Sequence, residues 1–173
     1  MSKLAFIFPG QGAQKAGMGK DFYENSEAAR SFFDQAQKIL DFDLKEMCFG
    51  EHEELNLTEY TQPCMVSVCL AIVQELKKRG INPDITAGLS LGEYAAVAAA
   101  GGMNELDAIK LVRRRGILMQ STVPAGEGAM AAVLGLDAKK IEEILESFEN
   151  VWIANYNCPG QIVITGLTNE VQQ

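Results

Sequence analysis

Histidine is nearly missing from this sequence. Of 173 residues only His52 carries an imidazole, and it lies in Glu51-His52-Glu53-Glu54. A lone histidine between glutamates reads as a solvated loop residue and not as a catalyst. Cysteine is sparse too. Cys48, Cys64, Cys69 and Cys158 form no C-x-x-C pair and no other metal-ligand spacing, so no metal site is expected and the thiols are read as free in a reducing compartment. Positive charge is short: 15 Lys and Arg against 23 Asp and Glu leave a net charge of −8, which argues against general nucleic-acid binding. Long apolar runs are lacking as well. Cys64–Val73 is too short to span a bilayer and is broken by Ser67, so no membrane span is expected. The opening Leu4-Ala5-Phe6-Ile7-Phe8 is cut by Pro9, with no signal-peptide cleavage site after it. Phosphate loops fail on spacing: no Gly-Lys-Ser/Thr follows Pro9-Gly10-Gln11-Gly12-Ala13-Gln14, and glycines at 10, 12 and 17 miss the G-x-G-x-x-G interval. No repeat or low-complexity segment is present. The hydrophobic content of 47% supports a sizeable core, and the length suits one domain, or one and a part.

The chain is organised around Ile85-Thr86-Ala87-Gly88-Leu89-Ser90-Leu91-Gly92-Glu93-Tyr94. A short strand pattern runs into Gly-x-Ser-x-Gly, and an alanine-rich helical run follows at once. That is the strand–turn–helix setting of a nucleophile elbow. The positions two before and two after such a serine must be very small, and Gly88 and Gly92 meet that need. The helix beginning after Ser90 directs free N–H groups at the space above the hydroxyl, where an oxyanion would be stabilised. The bland alternative is a glycine-rich turn with Ser90 as a helix cap.

The remaining segments read as alternating strands and helices. Lys3–Phe8 is a first strand, feeding the Gly10-Gln11-Gly12 loop at its C-terminal end, where α/β proteins place functional groups. Ala29, Phe32, Phe33, Ala36, Ile39 and Leu40 recur at helical spacing. Thr61-Gln62-Pro63 reads as a helix start, with Thr61 as cap, and Lys77-Lys78-Arg79-Gly80 as its end. Asn104 opens a helix to about Gln120. Its phase puts Ala108, Leu111, Val112, Leu118 and Met119 on one arc with Arg115 inside it, and Arg113 and Arg114 on the polar side. An inward arginine must pair with a carboxylate of the protein or with an anionic ligand. Met130–Leu136, a helix capped by Asp137, Val151–Tyr156 and Gln161–Thr165 spell β-α-β-β, the opening of a ferredoxin-like unit, with a helix starting near Thr168.

Phe8-Pro9-Gly10-Gln11-Gly12-Ala13-Gln14, Thr61-Gln62-Pro63, Gly88–Tyr94, Arg115-Gly116 and Asn155-Tyr156-Asn157-Cys158-Pro159-Gly160-Gln161 occur in that order. Together they resemble the N-terminal part of the bacterial malonyl-CoA:acyl carrier protein transacylases. The resemblance covers the whole chain. One departure is Leu89, where many members carry histidine.

The resemblance implies an α/β-hydrolase-like large domain over residues 1–124, and over 125–173 the first half of an inserted ferredoxin-like subdomain. It implies Ser90 as nucleophile, an oxyanion hole from Gln11 and Leu91, and Arg115 as binder of the malonyl carboxylate. The substrates would be malonyl-CoA and phosphopantetheinylated acyl carrier protein, with no bound cofactor or metal, in cytoplasmic fatty acid biosynthesis. It places the family's catalytic histidine beyond Gln173, so the chain is expected to be a fragment inactive alone. Carrier proteins of this kind are acidic, and Lys77, Lys78, Arg79, Arg113 and Arg114 are the candidate basic patch for one. Two other classes stay open: a serine hydrolase or esterase of related fold, and a non-catalytic carrier-binding or assembly module.

Overall fold

Two short strands lie parallel in the first of two units, Met1–Gln120 and Ser121–Gln173. They are β1 (Ala5–Phe8) and β2 (Ile85–Gly88), with Ala5 opposite Ile85 and Phe8 opposite Gly88. The computed structural model describes residues 3–123 and 126–173. Parallel strands need a crossover, and here it is helical: α1 (Lys20–Asn25), α2 (Glu27–Gln37), α3 (Leu44–Phe49), a 3-10 turn (Glu53–Asn56) and α4 (Thr58–Lys78). After β2 come α5 (Gly92–Ala99) and α6 (Glu105–Thr122). The short helices α1 and α3 have no clear apolar period in the sequence; α3 is set instead by its cap, Asp43, which accepts from the N–H groups of Lys45 and Glu46.

The core of this unit is α4 packed on α2. Phe32, Phe33 and Ala36 of α2 and Met65, Val66, Leu70 and Val73 of α4 are buried. Phe33 is closed over by the rings of Tyr23 and Phe49, at 5.8 and 5.5 Å between centroids. Ser26 caps α2 by accepting from Ala29 N–H, and its hydroxyl donates to Glu75 of α4. That bond, followed by the one from Arg79, holds the Glu75 carboxyl below the ordinary glutamate value.

The start of α4 differs from the reading of the sequence. The helix begins at Thr58, so Thr61 is not its cap. Thr61 is fully buried and donates its hydroxyl to the Leu55 carbonyl at 2.6 Å. Leu57 stands at the cap position and its apolar side chain can accept nothing; Gln120 of α6 supplies the missing acceptor, taking the Thr58 N–H at 3.0 Å. Pro63 then lies inside the helix, where it has no N–H to give the Glu59 carbonyl. Arg113 of α6 fills that vacancy with a bond of 2.8 Å to Glu59 O.

Arg113 is therefore not on a solvated face. Its guanidinium forks onto Asp41 at 2.9 and 2.9 Å, meets Glu59 Oε2 at 3.1 Å, and lies over the rings of Phe42 and Tyr60. The buried stripe of α6 is Ala108, Ile109, Val112 and Gly116, rotated from the expected arc. Leu111, Leu118 and Met119 are exposed. At 100° per residue Arg113 and Arg115 flank the stripe on opposite sides, and Arg114 points away from it. A Cβ on Gly116 would come within 2.8 Å of the Thr58 carbonyl, so this glycine lets α6 lie directly on the start of α4.

The second unit holds β3 (Gly128–Leu134), α7 (Ala138–Leu145), β4 (Val151–Cys158), β5 (Gln161–Leu167) and α8 (Thr168–Val171). The strand order is β3-β5-β4, with both pairings antiparallel. β3 and β4, joined through α7, thus run parallel with β5 between them. Asp137 caps α7 through Lys139 N–H, as its position suggests. Ile141, Val151 and Ile162 are buried, while Met130, Leu134 and Trp152, on the other face by register, are exposed. Glu170 of α8 accepts from the backbone and side chain of Asn150 at 3.0 and 2.8 Å. Among the described residues no helix is long and apolar enough to cross a membrane.

Replacing Arg113 by Ala should destabilise the fold by about 2 kcal/mol, because a charged donor is lost and the Glu59 carbonyl is orphaned. The same bond holds the Asp41 carboxyl below its ordinary value. That share of stability is complete above the ordinary aspartate range and fades as pH falls through the lowered value. Urea denaturation of the two proteins should show their difference narrowing in acid.

Candidate functional site

Ser90 has φ of +49°, the one positive value among the described non-glycine residues. That region costs an L-residue about 1–2 kcal/mol, so the surroundings must impose it. They do so through backbone. Leu89 N–H donates to Phe8 O at 3.1 Å, Gly92 N–H to Leu89 O at 2.9 Å, and Glu93 N–H to Ser90 O at 3.1 Å. A Cβ on Gly88 would run into the Gly92 carbonyl. One on Gly92 would run into the carbonyls of Phe8 and Pro9. The turn between β2 and α5 is thus pressed against the C-terminal end of β1, and only glycine fits on either side of the serine.

Ser90 is exposed, whereas Leu91 is buried. Among the described residues nothing hydrogen-bonds the Ser90 hydroxyl, and nothing accepts from the backbone N–H of Leu91 or of Gln11. The Gln11 loop adjoins the turn: a Cβ on Gly10 would stand 2.9 Å from Leu89 O. Gly12 has φ of +110°, and its N–H is taken by Gln14 Oε1 at 2.8 Å. The Gln11 side chain is already engaged. Its Nε2 donates to Thr58 Oγ1 at 3.1 Å, and its Oε1 faces Gln62 Nε2 at 3.5 Å. With its carboxamide held at both ends, Gln11 leaves its backbone N–H and one N–H of Nε2 for an oxyanion.

Arg115 lies half-buried, with its guanidinium carbon 5.6 Å from the ring centre of Tyr94 on α5, the helix that the Ser90 turn opens. It has no carboxylate partner among the described residues. An arginine stacked on a ring but unpaired keeps its planar fork for a carboxylate ligand. The other basic candidates are mostly spent. Lys77 pairs with Glu105 at 2.9 Å, Lys78 with Glu27 at 3.2 Å, and Arg79 with Glu75. With Arg113 also paired, Arg114 is the one member of the expected basic patch without an ion pair among the described residues. His52 is held by Glu46 at 3.0 Å. Thr58, Gln62 and Tyr94 are the neighbours that the sequence alone did not mark as site residues, although Gln62 and Tyr94 fall inside its motifs.

The description "acyl transferase domain" matches residues 5–173. The chain belongs to the acyl transferase family. It is 48% identical to a malonyl CoA-acyl carrier protein transacylase of Bacillus subtilis, over 99% of this chain and 56% of that one. Against the crystal structure of a malonyl CoA-acyl carrier protein transacylase from Clostridium perfringens the TM-score is 0.90 at 43% identity, over 99% of this chain and 55% of that one. A malonyl-transacylase solved in complex with its type II PKS acyl-carrier protein gives a TM-score of 0.88 at 39% identity, over 99% and 57% of the two chains. The chain thus spans little more than half the length of these relatives.

If the fold forces the Ser90 conformation, glycine should relieve it. Ser90→Gly should be more stable than Ser90→Ala by about 1 kcal/mol in urea denaturation. Equal stability of the two variants would mean that the turn stores no strain.

Proposed function

We propose that these residues are the nucleophile-bearing part of a malonyl-CoA:acyl carrier protein transacylase acting in fatty acid biosynthesis. The observation that carries this reading is an exposed, strained serine on the turn into α5 together with an unpaired arginine stacked on the same helix. Ser90 Oγ attacks the malonyl thioester carbonyl and loses its proton to a base. The oxyanion is met by the free N–H groups of Leu91 and Gln11. The thiolate of coenzyme A leaves and takes up a proton, giving malonyl-Ser90. The phosphopantetheine thiol of the carrier then attacks that ester and restores the serine. Arg115 holds the malonyl carboxylate through both steps. The reaction needs no resident cofactor or metal. The carrier as partner is supported by the related complex with an acyl-carrier protein.

The finer fold reading belongs here as well. Residues 1–124 form part of an α/β-hydrolase-like domain, and 125–173 the first half of a ferredoxin-like subdomain, for which the β3-β5-β4 order is the support. In the first unit Ile7 and Ile85 are 78% and 62% exposed, and an apolar groove of about 410 Å³ runs along β1 past Phe6, Met65 and Val68. Two strands with such flanks make a marginal sheet, and in this reading the region that the longer relatives have beyond the match would add strands to it. No described residue hydrogen-bonds the Ser90 hydroxyl, and the base in this reading is the family's histidine, which the resemblance puts outside residues 1–173. We place the protein in the cytoplasm.

The test is a chimera of residues 1–173 continued by the C-terminal part of the Bacillus subtilis relative. Malonyl-CoA should acylate it on the Gly88–Gly92 peptide, as read by mass spectrometry, and Ser90→Ala should abolish the adduct. Residues 1–173 alone should show no turnover. In the chimera Arg115→Ala should lose malonyl transfer by about ten- to a hundredfold, the worth of charged hydrogen bonds at a half-buried site. Acetyl transfer should change little. Label on a cysteine, an unchanged malonyl preference, or release of malonate to water in place of transfer to the carrier would each overturn the assignment.

A further inference from the structure

Gln62 is fully buried, yet its Oε1 has no hydrogen-bond partner. Buried polar atoms are nearly always satisfied, and a group left unsatisfied calls for a reason. Its Nε2 shows what the residue does. It lies 3.5 Å from Gln11 Oε1 and 3.3 Å from the Met119 sulfur. Gln62 stands four residues after Thr58 on α4, so the two share one face of the helix. Thr58 Oγ1 accepts from Gln11 Nε2 at 3.1 Å. The face thus offers Gln11 an acceptor and a donor one turn apart, matched to the two ends of its carboxamide. An amide met in this way is held in one orientation, and with it the Gly10-Gln11-Gly12 backbone.

We infer that Gln62 is a positioning residue: with Thr58 it clamps the Gln11 carboxamide, which fixes the backbone N–H of Gln11 beside the Ser90 turn. This inference rests on the acyl-transfer reading of that turn. Gln62 makes no hydrogen bond to Ser90 and needs none. Through Met119 it also touches α6 one turn beyond Arg115, so the oxyanion loop and the arginine helix share this one side chain as a spacer. A methionine of similar volume could fill the space, but it could not donate to Gln11.

The experiment has two arms. In the chimera, Gln62→Met should lower kcat for malonyl transfer by about ten- to a hundredfold, the scale of a mispositioned group, and leave KM for malonyl-CoA within about twofold. Gln62→Glu should be impaired when ionised, since a carboxylate cannot donate to Gln11 Oε1. Once protonated it can, so its activity relative to the parent should rise as pH falls, a dependence that a loss of packing would not show. Gln74→Met, on the same helix, is the control for a half-buried glutamine elsewhere whose Nε2 is also buried without a partner. In the 173-residue protein, contacts between the Gln11 side-chain amide protons and the Thr58 methyl should be seen by ¹⁵N-edited NMR, and Gln62→Met should remove them. Contacts that persist in Gln62→Met, or a kcat equal to the parent's, overturn the clamp. A parent chimera that is never acylated on Ser90 overturns the acyl-transfer reading instead, while the NMR arm still decides whether Gln62 holds Gln11.

Discussion

The first unit depends on one backbone contact: Gly92, the first residue of α5, lies against the carbonyls of Phe8 and Pro9 at the end of β1. No side chain fits between them. Because Gly88 is in turn pressed on Gly92, the chain must leave β2 and enter α5 through a turn too tight for ordinary backbone, and Ser90 absorbs the strain at φ +49°. The same contact brings the Gly10-Gln11-Gly12 loop, which follows β1, beside Leu89. Ser90, the Gln11 loop and the helix N-terminus are thus assembled by packing of main chain on main chain, which side-chain rotamer changes cannot loosen.

This explains why the strand–turn–helix geometry at Ser90 was legible in the sequence. A requirement for glycine two residues before and two after a serine is local, and it leaves a local mark. The strands and the α7 cap of the second unit were legible for a similar reason: alternation and Asp137 act within a few residues. Arg113 was not legible. Its partners Asp41 and Glu59 are remote in sequence, and the carbonyl it satisfies is free only because Pro63 falls inside α4 and not in its first turn. Nor was the start of α4, where the cap is a side chain of α6. Helical phase treats residues as polar or apolar about one axis. It cannot see that a charged residue is turned inward because carboxylates remote in sequence meet it there.

The contacts between α4 and α6 also show how a helix can be both brace and site. Gly116 lets α6 lie on the first turn of α4, Gln120 caps that turn, and Arg113 replaces the hydrogen bond that Pro63 cannot make. These are structural duties, and they lie in the buried stripe, on one flank of it and near the helix end. The other flank is left to Arg115. The face of α4 that receives α6 also carries Thr58 and Gln62, so the Gln11 loop is referred to the same helix pair as Arg115.

Three consecutive arginines therefore meet three fates, and charge alone does not separate them. Arg113 has given its fork to Asp41 and Glu59, and any ligand would have to displace carboxylates that are already well placed. Arg114 stands in water, where a single ion pair is worth little. Arg115 rests on Tyr94, which shields one face of the guanidinium without using its N–H groups. Stacking of that kind orients a cation and partly desolvates it while leaving its hydrogen-bonding capacity whole. Of the three, it alone combines a fixed direction with unspent donors. It rests on the helix that the Ser90 turn opens, so under the proposed function an acyl group bound through its carboxylate would be presented to Ser90 by the same element that strains it.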